Sequence, residues 1–348
     1  MRATRYKVLP YESGWCRPDG GRGRDSLQWW YFDAEFASGH RLMTICMPRM
    51  VGDVNDDANG PVPGATFVIM DPEGNNHRSH AYYPGEFRAD GEAMRVEFGE
   101  NVIELQEGVC RLRFSQGDLG FDLTYAPVLP PWPPFPGRGG YMAKPLVWAL
   151  APGRHMHYAS MMPRGRVEGS LTLPGGTVDV RGDGYHEQGR TDAPIQRLFT
   201  YWYWTRFYLG NWTFIFPVAQ SPRRTLNAVM RSLLVYHGNK PVADAFDFSG
   251  LLLRHRVLEY QEHPPSGRED IPRRALFTAR LPGFRLHAEM DLYHQLEAFR
   301  FMPFGVNPPR QPAWLHHVMN VGVEMRAGGR DYTMEGKGVF ETMLTGAV

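Results

Sequence analysis

The densest group of side chains able to move protons lies at residues 182–188, in the sequence Gly-Asp-Gly-Tyr-His-Glu-Gln. Desolvation raises the pKa of a buried carboxyl group, and an imidazole titrates near neutral pH without help. Glu187 and His186 are therefore candidate catalytic acids or bases. Side chains alternate along a strand, so Tyr185 and Glu187 share one face and His186 takes the other. In the alternative interpretation Glu187 is structural and accepts bonds from loop amides or an arginine.

A second candidate surface lies in the sequence Tyr-Trp-Tyr-Trp-Thr-Arg at residues 201–206. Trp202, Trp204 and Arg206 fall on one face of a predicted strand. They offer an apolar wall with one fixed positive charge, which suits a flat or polyene-like substrate with an oxygenated end. Tyr203 lies on the opposite face and is a candidate catalytic hydrogen-bond donor to a substrate carbonyl. Alternatively, the tryptophans fill a barrel and Arg206 pairs with a carboxylate.

Aromatic residues also accompany two acids near residue 30. Trp30 and Phe32 share a face that we expect to be core, whereas Asp33 and Glu35 share the other face with aromatic side chains. The acids are either pocket residues or part of a solvated outer face. The complete set of candidate substrate-binding residues is Trp30, Asp33, Tyr185, Trp202, Trp204 and Arg206.

The sequence gives no reason to expect a metal or a nucleotide. His155 and His157 have the spacing of a metal-binding pair and His316-His317 forms another cluster, but no third ligand can be assigned. Phosphate-binding glycine loops, a G-x-S-x-G elbow and an H-E-x-x-H motif are all missing from the sequence. The chemistry predicted for this chain is therefore cofactor-free.

The elements that must position these residues are predicted to be β-strands. The chain has 38 Gly and 29 Pro beside 20 Phe, 16 Tyr and 9 Trp, a composition in which turns interrupt half-buried aromatic surfaces. Residues 94–125 read as a four-strand antiparallel meander, and further hairpin turns follow residues 71, 173, 237 and 326. The only helix predicted is a short one near residues 226–234. The fold class is all-β.

An internal repeat divides the chain. The aromatic hairpin that begins at Trp30 resembles the one that begins at Trp202, 172 residues later, and the G-x-G-x-x-E segment at Gly182 recurs at Gly336, 154 residues later. Two tandem antiparallel β-barrels or sandwiches, at residues 1–194 and 195–348, explain this order. Features common to both halves are economically assigned to folding, so Glu341, the counterpart of Glu187, weakens the catalytic interpretation of the glutamate. His186 is more distinctive because its counterpart is Phe340.

Composition excludes several partner classes. The 348 residues carry 38 Lys and Arg against 37 Asp and Glu, a net charge of +1, so no footprint for nucleic acid or anionic lipid is expected. The three cysteines are far apart, and no apolar run is long enough for a signal peptide or a membrane span. We expect a cytoplasmic protein with a hydrophobic small-molecule partner and an undetermined oligomeric state.

Taken together, these motifs resemble a known superfamily. Q-W-W-Y-F-D at 28–33 is similar to the E-W-W-Y opening of the carotenoid 1,2-hydratase and AttH-like superfamily, and G-D-G-Y-H-E-Q at 182–188 to its G-x-G-Y-x-[DE]-H stretch. W-Y-W-T-R at 202–206 resembles its W-x-W-x-R strand, and the C-terminal G-K-G-V-F-E its closing motif. The landmarks follow the family order along nearly the whole chain.

The resemblance implies two lipocalin-like β-domains that hold a substrate between them. The superfamily includes fungal Diels-Alderases that act on polyenoyl precursors, as well as hydratases and cyclases. The resemblance therefore implies a cofactor-free, non-redox cyclisation of a polyene, terpenoid or polyketide-type molecule. Alkene hydration and non-enzymatic carriage of such a molecule are the alternatives. Gln28 replaces the usual Glu, and the Trp of the H-x-x-W-G ending common in the hydratases is missing after Gln188. These departures argue against carotenoid hydration itself.

Overall fold

The chain folds almost entirely as antiparallel β-structure. The computed structural model describes residues 27–48, 62–90, 95–133, 156–191, 198–223, 226–299 and 313–345. These ranges contain 20 strands in two separate sheets, which confirms the all-β prediction and the two tandem lipocalin-like domains. The chain divides into two compact units. The first holds strands β1–β11, and the second holds strands β12–β20.

The first unit is one sheet of 11 strands in the order β4-β3-β2-β1-β11-β10-β9-β8-β7-β6-β5. Its strands are β1 (Leu27–Phe36), β2 (Arg41–Met47), β3 (Gly64–Met70), β4 (Asn76–Tyr82), β5 (Phe87–Asp90), β6 (Arg95–Phe98), β7 (Asn101–Gln106), β8 (Val109–Gln116), β9 (Leu119–Pro127), β10 (Met156–Leu173) and β11 (Gly176–Thr191).

The second unit is one sheet of nine strands in the order β15-β14-β13-β12-β20-β19-β18-β17-β16. Its strands are β12 (Tyr201–Leu209), β13 (Trp212–Gln220), β14 (Val229–His237), β15 (Lys240–Asp247), β16 (Leu253–His263), β17 (Arg268–Leu281), β18 (Phe284–Phe299), β19 (Ala313–Ala327) and β20 (Arg330–Leu344). A 3-10 turn at Pro264–Ser266 joins β16 to β17.

The two units have the same topology. In each, the first strand pairs with the last strand, β1 with β11 and β12 with β20, and four consecutive strands extend from that seam to one edge. The remaining strands form a meander on the other side of the seam. The repeat predicted from the sequence therefore corresponds to a repeated sheet.

Alternation along β1 and β12 sends one set of side chains into the core of each unit. Trp30 and Phe32 lie in the hydrophobic core of the first unit, as predicted. Tyr203 and Phe207 lie in the core of the second unit. The opposite face of β1 is buried as well, because Trp29, Tyr31 and Asp33 are almost inaccessible to solvent. Burial on both faces explains why these strands read as aromatic along their whole length.

The G-x-G segments are required where the last strand of each unit crosses the first. A Cβ atom added at Gly184 would lie 2.8 Å from the carbonyl oxygen of Asp33 and would also collide with Val167. A Cβ at Gly338 would lie 2.6 Å from the carbonyl oxygen of Arg206. Asp33 and Arg206 occupy equivalent positions, opposite Tyr185 and Val339. The repeated glycines thus serve the fold rather than a phosphate.

Replacing Gly184 with alanine should destabilise the first unit, because the added methyl group meets backbone as well as side chains. We expect the free energy of unfolding to fall by about 1–3 kcal/mol, measured by chemical denaturation. Gly175→Ala is the matched control, since a Cβ at Gly175 in the β10–β11 turn has no neighbour within 4 Å. Equal stability of the two variants would contradict this account of the motif.

The strand predictions are confirmed in detail and the helix prediction is wrong. β6, β7, β8 and β9 form the meander predicted for residues 94–125, and the turns after residues 71, 173, 237 and 326 join paired strands. Residues 229–234 belong to β14 rather than to a helix. The short, largely apolar run at residues 230–235 does not distinguish helix from strand by its periodicity, and pairing with β13 and β15 selects the strand.

Candidate active site

The carboxylate of Glu187 lies at the centre of a buried polar cluster in the first unit. Tyr185 donates a hydrogen bond to Oε2 at 2.8 Å, and Tyr158 donates to the same oxygen. The indole Nε1 of Trp29 donates to Oε1 at 3.2 Å. Glu187 is only 2% exposed. Two phenols and one indole therefore stabilise a carboxylate that has lost nearly all of its water.

Three strands position this cluster. Tyr185 and Glu187 are alternate residues of β11, so their side chains share a face, as the sequence predicted. Trp29 comes from β1 and Tyr158 from β10, the two strands that flank β11. The hydroxyl groups of Tyr158 and Tyr185 are 3.3 Å apart. The three oxygen-bearing groups form a continuous path along which a proton can move.

The second unit repeats the arrangement around Glu341. The indole groups of Trp202 and Trp314 donate to its Oε1 at 2.5 and 2.6 Å, and Nε2 of His316 lies 3.6 Å from its Oε2. Burial alone would raise the pKa of Glu341, but the neighbouring His316 and the hydrogen bonds from Trp202 and Trp314 outweigh it, so the pKa lies below its ordinary value. Glu341 is held as an anion.

The strand pairing corrects the alignment of the two halves by one residue. Glu187 lies opposite Tyr31 in β1, and Glu341 lies opposite Trp204 in β12. The counterpart of Trp202 is therefore Trp29, not Trp30, and the offset is 173 residues rather than 172. The sequence comparison aligned Trp30-Tyr31 with the similar pair Trp202-Tyr203, whereas the shared indole–carboxylate contact fixes the true register.

The two clusters differ in the protons they hold. Around Glu187 the donors include Tyr158 and Tyr185, and burial together with the charge of Glu187 raises the pKa of Tyr185 well above its ordinary value. Tyr185 thus remains a protonated phenol in contact with a carboxylate. Around Glu341 the hydrogen-bond donors are two indole N–H groups, whose protons do not exchange in acid–base catalysis, and Nε2 of His316 lies at 3.6 Å, beyond hydrogen-bond distance. The Glu187 cluster is therefore the better candidate for proton transfer.

His186 occupies the core side of β11. Its ring stacks on Phe32 at 3.9 Å with an interplanar angle of 4°, and its Nδ1 donates to the carbonyl oxygen of Tyr31 at 2.9 Å. Burial lowers the pKa of His186 to about 3. A neutral, fully buried imidazole has no proton to deliver near neutral pH, so these contacts favour a structural role over the predicted one of proton donor.

The low pKa of His186 predicts a stability that depends on pH. The unfolded chain binds a proton at an ordinary pKa of 6.5 and the folded chain does not, so stability is present above pH 6.5 and decreases as the pH falls toward 3. At pH 5 the loss from this residue should be about 2 kcal/mol relative to pH 7.

Chemical denaturation at pH 7 and pH 5 measures this loss. His186→Phe is the matched variant, because Phe340 occupies the equivalent position of the second unit. The variant should lose less stability than the wild type over the same pH interval. An unchanged difference between the two pH values would show that His186 is not neutral in the folded protein.

Comparisons with known proteins identify the fold. No family model matches the chain, and no curated protein matches its sequence. CghA, a Diels-Alderase, in complex with Sch210972 superposes with a TM-score of 0.63 at 13% identity, over 92% of this chain and 89% of that chain. A candidate AttH from Nitrosomonas europaea gives 0.66 at 13% identity, over 100% and 99%. Kievitone hydratase from Nectria haematococca gives 0.56 at 13% identity, over 95% and 93%.

The chain has the fold of the AttH-like superfamily. Its neighbours are enzymes, and the resemblance drawn from the sequence motifs is confirmed at the level of the fold. Among the described residues of this chain, no helix has the length and apolar character needed to cross a membrane.

The remaining predicted site residues lie on both faces of the AttH-like sheets. Trp204 and Arg206 share a buried face of β12 with Trp202, whereas Tyr203 points into the core of its unit. Trp30 also lies in a core, with its ring edge-on to Phe98. Core packing is the simplest role for Trp30, and a substrate-binding role for the others remains a prediction.

The two acids of β1 have different environments. Asp33 is buried on the face that carries Trp29, so the solvated-surface alternative is wrong for this residue. Glu35 is partly exposed and pairs with Arg41 at 2.9 Å. Burial raises the pKa of Glu35, and the charge of Arg41 opposes that shift. Asp33 therefore remains the stronger site candidate of the two.

Sequence reasoning missed Tyr158. It lies on β10 opposite Gly189, and its phenol reaches Glu187 diagonally across the strand pair. Its counterpart in the second unit is Trp314, which faces Met343 and reaches Glu341 in the same way. Because a tyrosine replaces a tryptophan and the flanking residues differ, no sequence repeat links the two positions. Only the pairing of the strands brings them into register.

The histidine clusters considered as metal sites have other environments. His155 and the side chain of His157 lie outside the described residues. His316 contacts Glu341, and burial together with neighbouring positive groups lowers the pKa of His317 to about 3. Within the ranges that the structure describes, no three histidine, cysteine or acidic side chains converge in a way that would hold a metal.

Proposed function

We propose that the protein catalyses a cofactor-free, non-redox cyclisation of a hydrophobic polyene, terpenoid or polyketide-type small molecule. The observation that carries the proposal is the buried carboxylate of Glu187, which two phenols and an indole contact on an aromatic face. An enzyme for this chemistry needs an apolar surface to fold the substrate and a positioned proton donor or acceptor.

The proposed roles follow from the contacts. Tyr158 and Tyr185 hold protons beside the Glu187 carboxylate, so a phenol can polarise or protonate a substrate group while the carboxylate receives or returns the proton. Trp29 orients the carboxylate through its indole N–H, and its ring lies 6.1 Å from that of Tyr158. The faces of these two rings would stabilise cationic character in a closing ring that lies within about 6 Å of them.

The equivalent face of the second unit offers a complementary surface. Trp202 and Trp204 provide apolar area and Arg206 a fixed charge, and all three are buried. We propose that they take part in substrate binding rather than in proton transfer. Asp33 occupies the position in the first unit that Arg206 occupies in the second, and its carboxylate would face the same type of ligand.

Alkene hydration is the second candidate reaction. Kievitone hydratase has the same fold, and the same phenol–carboxylate cluster could protonate an alkene before water adds to the resulting cation. A carrier function would need an apolar surface but no such cluster. We favour an enzyme because two phenols hold protons beside Glu187, a feature that a carrier does not need, whereas the equivalent Glu341 accepts bonds from indoles.

Product analysis separates these functions. Purified protein, dialysed against a chelator, would be incubated with a panel of polyenes, terpenoids and polyketide-type compounds in heavy-oxygen water, and the products examined by mass spectrometry. Cyclisation predicts a product with the mass of the substrate, and hydration predicts a product that gains one labelled water. Recovery of every substrate unchanged, with saturable binding, would support a carrier and contradict the proposal.

A further inference from the structure

A second group of polar side chains lies inside the second unit, on the face of β12 opposite Trp202. Tyr201 and Tyr203 stack there with ring centroids 4.8 Å apart, and the imidazole of His255 lies 5.0 Å from the ring of Tyr203. Tyr201 and His255 are partly accessible to solvent, whereas Tyr203 is buried beneath them. The group forms an aromatic floor that can be reached from outside.

Arg231 brings a positive charge to this floor. Its Nε is buried and has no hydrogen-bond partner within the described ranges, and its Nη1 makes one long bond of 3.4 Å to the carbonyl oxygen of Val229. Nε2 of His255 is likewise buried and lacks a hydrogen-bond partner there. Donors on a buried cation are costly to leave unsatisfied. The pair therefore provides two unused contacts for an anionic group.

The acids nearest to Arg231 are engaged elsewhere. Asp247 faces Arg231 in the β14–β15 pair, but its oxygens accept bonds from the backbone of Ser249, Leu252 and Leu253. These bonds outweigh the effect of desolvation and lower the pKa of Asp247. The other acid of the region, Asp270, binds Arg268 through two bonds of 2.7 Å. Neither carboxylate neutralises Arg231.

An apolar rim adjoins the cation. The loop that Asp247 holds between β15 and β16 exposes Phe248, Leu251 and Leu252, the second of them to 70%. This loop lies next to Arg231, because a Cβ added at Gly250 would lie 3.5 Å from Nη1 of its guanidinium group. Exposed apolar side chains that border a buried positive charge match an amphiphile with an acidic head and an apolar body.

The fold does not require this arrangement. By the register of the two seams, Tyr201 and Tyr203 are equivalent to Gln28 and Trp30 of the first unit. There the space is filled, because Gln28 and Trp30 are buried and Trp30 packs on Phe98. At these equivalent positions, the partly accessible aromatic floor beside a cation is therefore found at Tyr201 and Tyr203 and not at Gln28 and Trp30.

We propose that this part of the second unit is a distinct binding site for a small organic carboxylate with a flat or extended apolar body. The carboxylate would bind the guanidinium of Arg231 and the imidazole of His255, and the body would lie on Tyr201 and Tyr203 and the apolar rim. The site is independent of the chemistry proposed for Glu187.

Binding of cis-parinaric acid, a fluorescent polyene carboxylate, tests the site. We expect saturable binding of the acid and at least about tenfold weaker binding of its methyl ester, because a charge-assisted hydrogen bond is lost. Arg231→Met should weaken binding of the acid by about 10- to 100-fold and bring it close to that of the ester. Arg256→Met, which alters an exposed arginine next to His255, should leave affinity unchanged.

Further measurements cover a folding failure of Arg231→Met and separate this binding site from the proposed function. If Arg231→Met fails to fold, His255→Leu replaces it and should also weaken binding of the acid selectively. Arg231→Met should leave turnover of a substrate converted at the Glu187 cluster within a few-fold of the wild type, so failure of this proposal and failure of the proposed function give different results. Equal binding of acid and ester, no saturable binding, or loss of binding only in variants of Trp29 and Glu187 would overturn the proposal.

Discussion

Glu187→Gln lowers turnover of the natural substrate by about 10²-fold or more, because general acid–base catalysis contributes roughly 10²–10⁴ in rate. The amide preserves the size of the side chain, and its single oxygen can accept either the bonds from Tyr158 and Tyr185 or the bond from Trp29, so folding should be largely retained. It cannot take up or return a proton. Steady-state kinetics on one identified substrate, with thermal unfolding measured in parallel, provide the test.

Two companion variants test whether the loss of turnover in Glu187→Gln is specific to the Glu187 cluster. Tyr158→Phe removes one phenol from the same carboxylate oxygen and should also lower kcat, while the binding of substrate changes little. Glu341→Gln alters the equivalent carboxylate of the second unit and should leave kcat within a few-fold of the wild type when the protein is folded. If Glu341→Gln reduces kcat as much as Glu187→Gln, the two clusters do not differ in function.

Glu341→Ala should have the largest effect on stability. It leaves two buried indole N–H groups without their shared acceptor, and each unsatisfied buried donor costs about 1–3 kcal/mol of unfolding free energy. The depressed pKa of Glu341 adds a pH signature. Its stabilisation is present above its ordinary pKa of 4.5 and is lost as the pH falls further through the lower folded value.

Glu335→Ala is the matched control for this measurement, since Glu335 is an exposed residue of the same strand. Its free energy of unfolding should stay within about 0.5 kcal/mol of the wild type. Similar stabilities for the two variants would show that the Glu341 cluster does not hold the second unit together. Because Trp202 donates to Glu341, Trp202→Ala should also lose stability, and its kinetics must be interpreted together with its unfolding.

Much of the fold was predictable because its signals are local. Turn residues placed the hairpins, alternation assigned the faces of β1, β11 and β12, and the repeated glycines marked the strand that closes each unit. The grouping of Tyr185 with Glu187, and of Trp202 with Arg206, followed from the same period of two. These inferences need only the neighbours of a residue along its own strand.

The centre of the candidate site was only partly predictable because its contacts cross strands. Tyr158 and Trp29 reach Glu187 from two different neighbours of β11, and no spacing in the sequence reveals that meeting. His186 looked distinctive for its chemical type, but the stacked ring of Phe32 and the carbonyl of Tyr31 make it part of the core. A side chain able to titrate in water need not do so after burial.

Catalysis at the Glu187 cluster is tested most directly by a crystal structure of the protein with a compound that it converts, or with the product. We expect ligand density against the aromatic face of the first unit, with an oxygen or a reacting carbon within hydrogen-bond or van der Waals distance of Tyr158 and Glu187. Density found only elsewhere, for example against Tyr203 and His255 with the Glu187 cluster unchanged and remote, would contradict it.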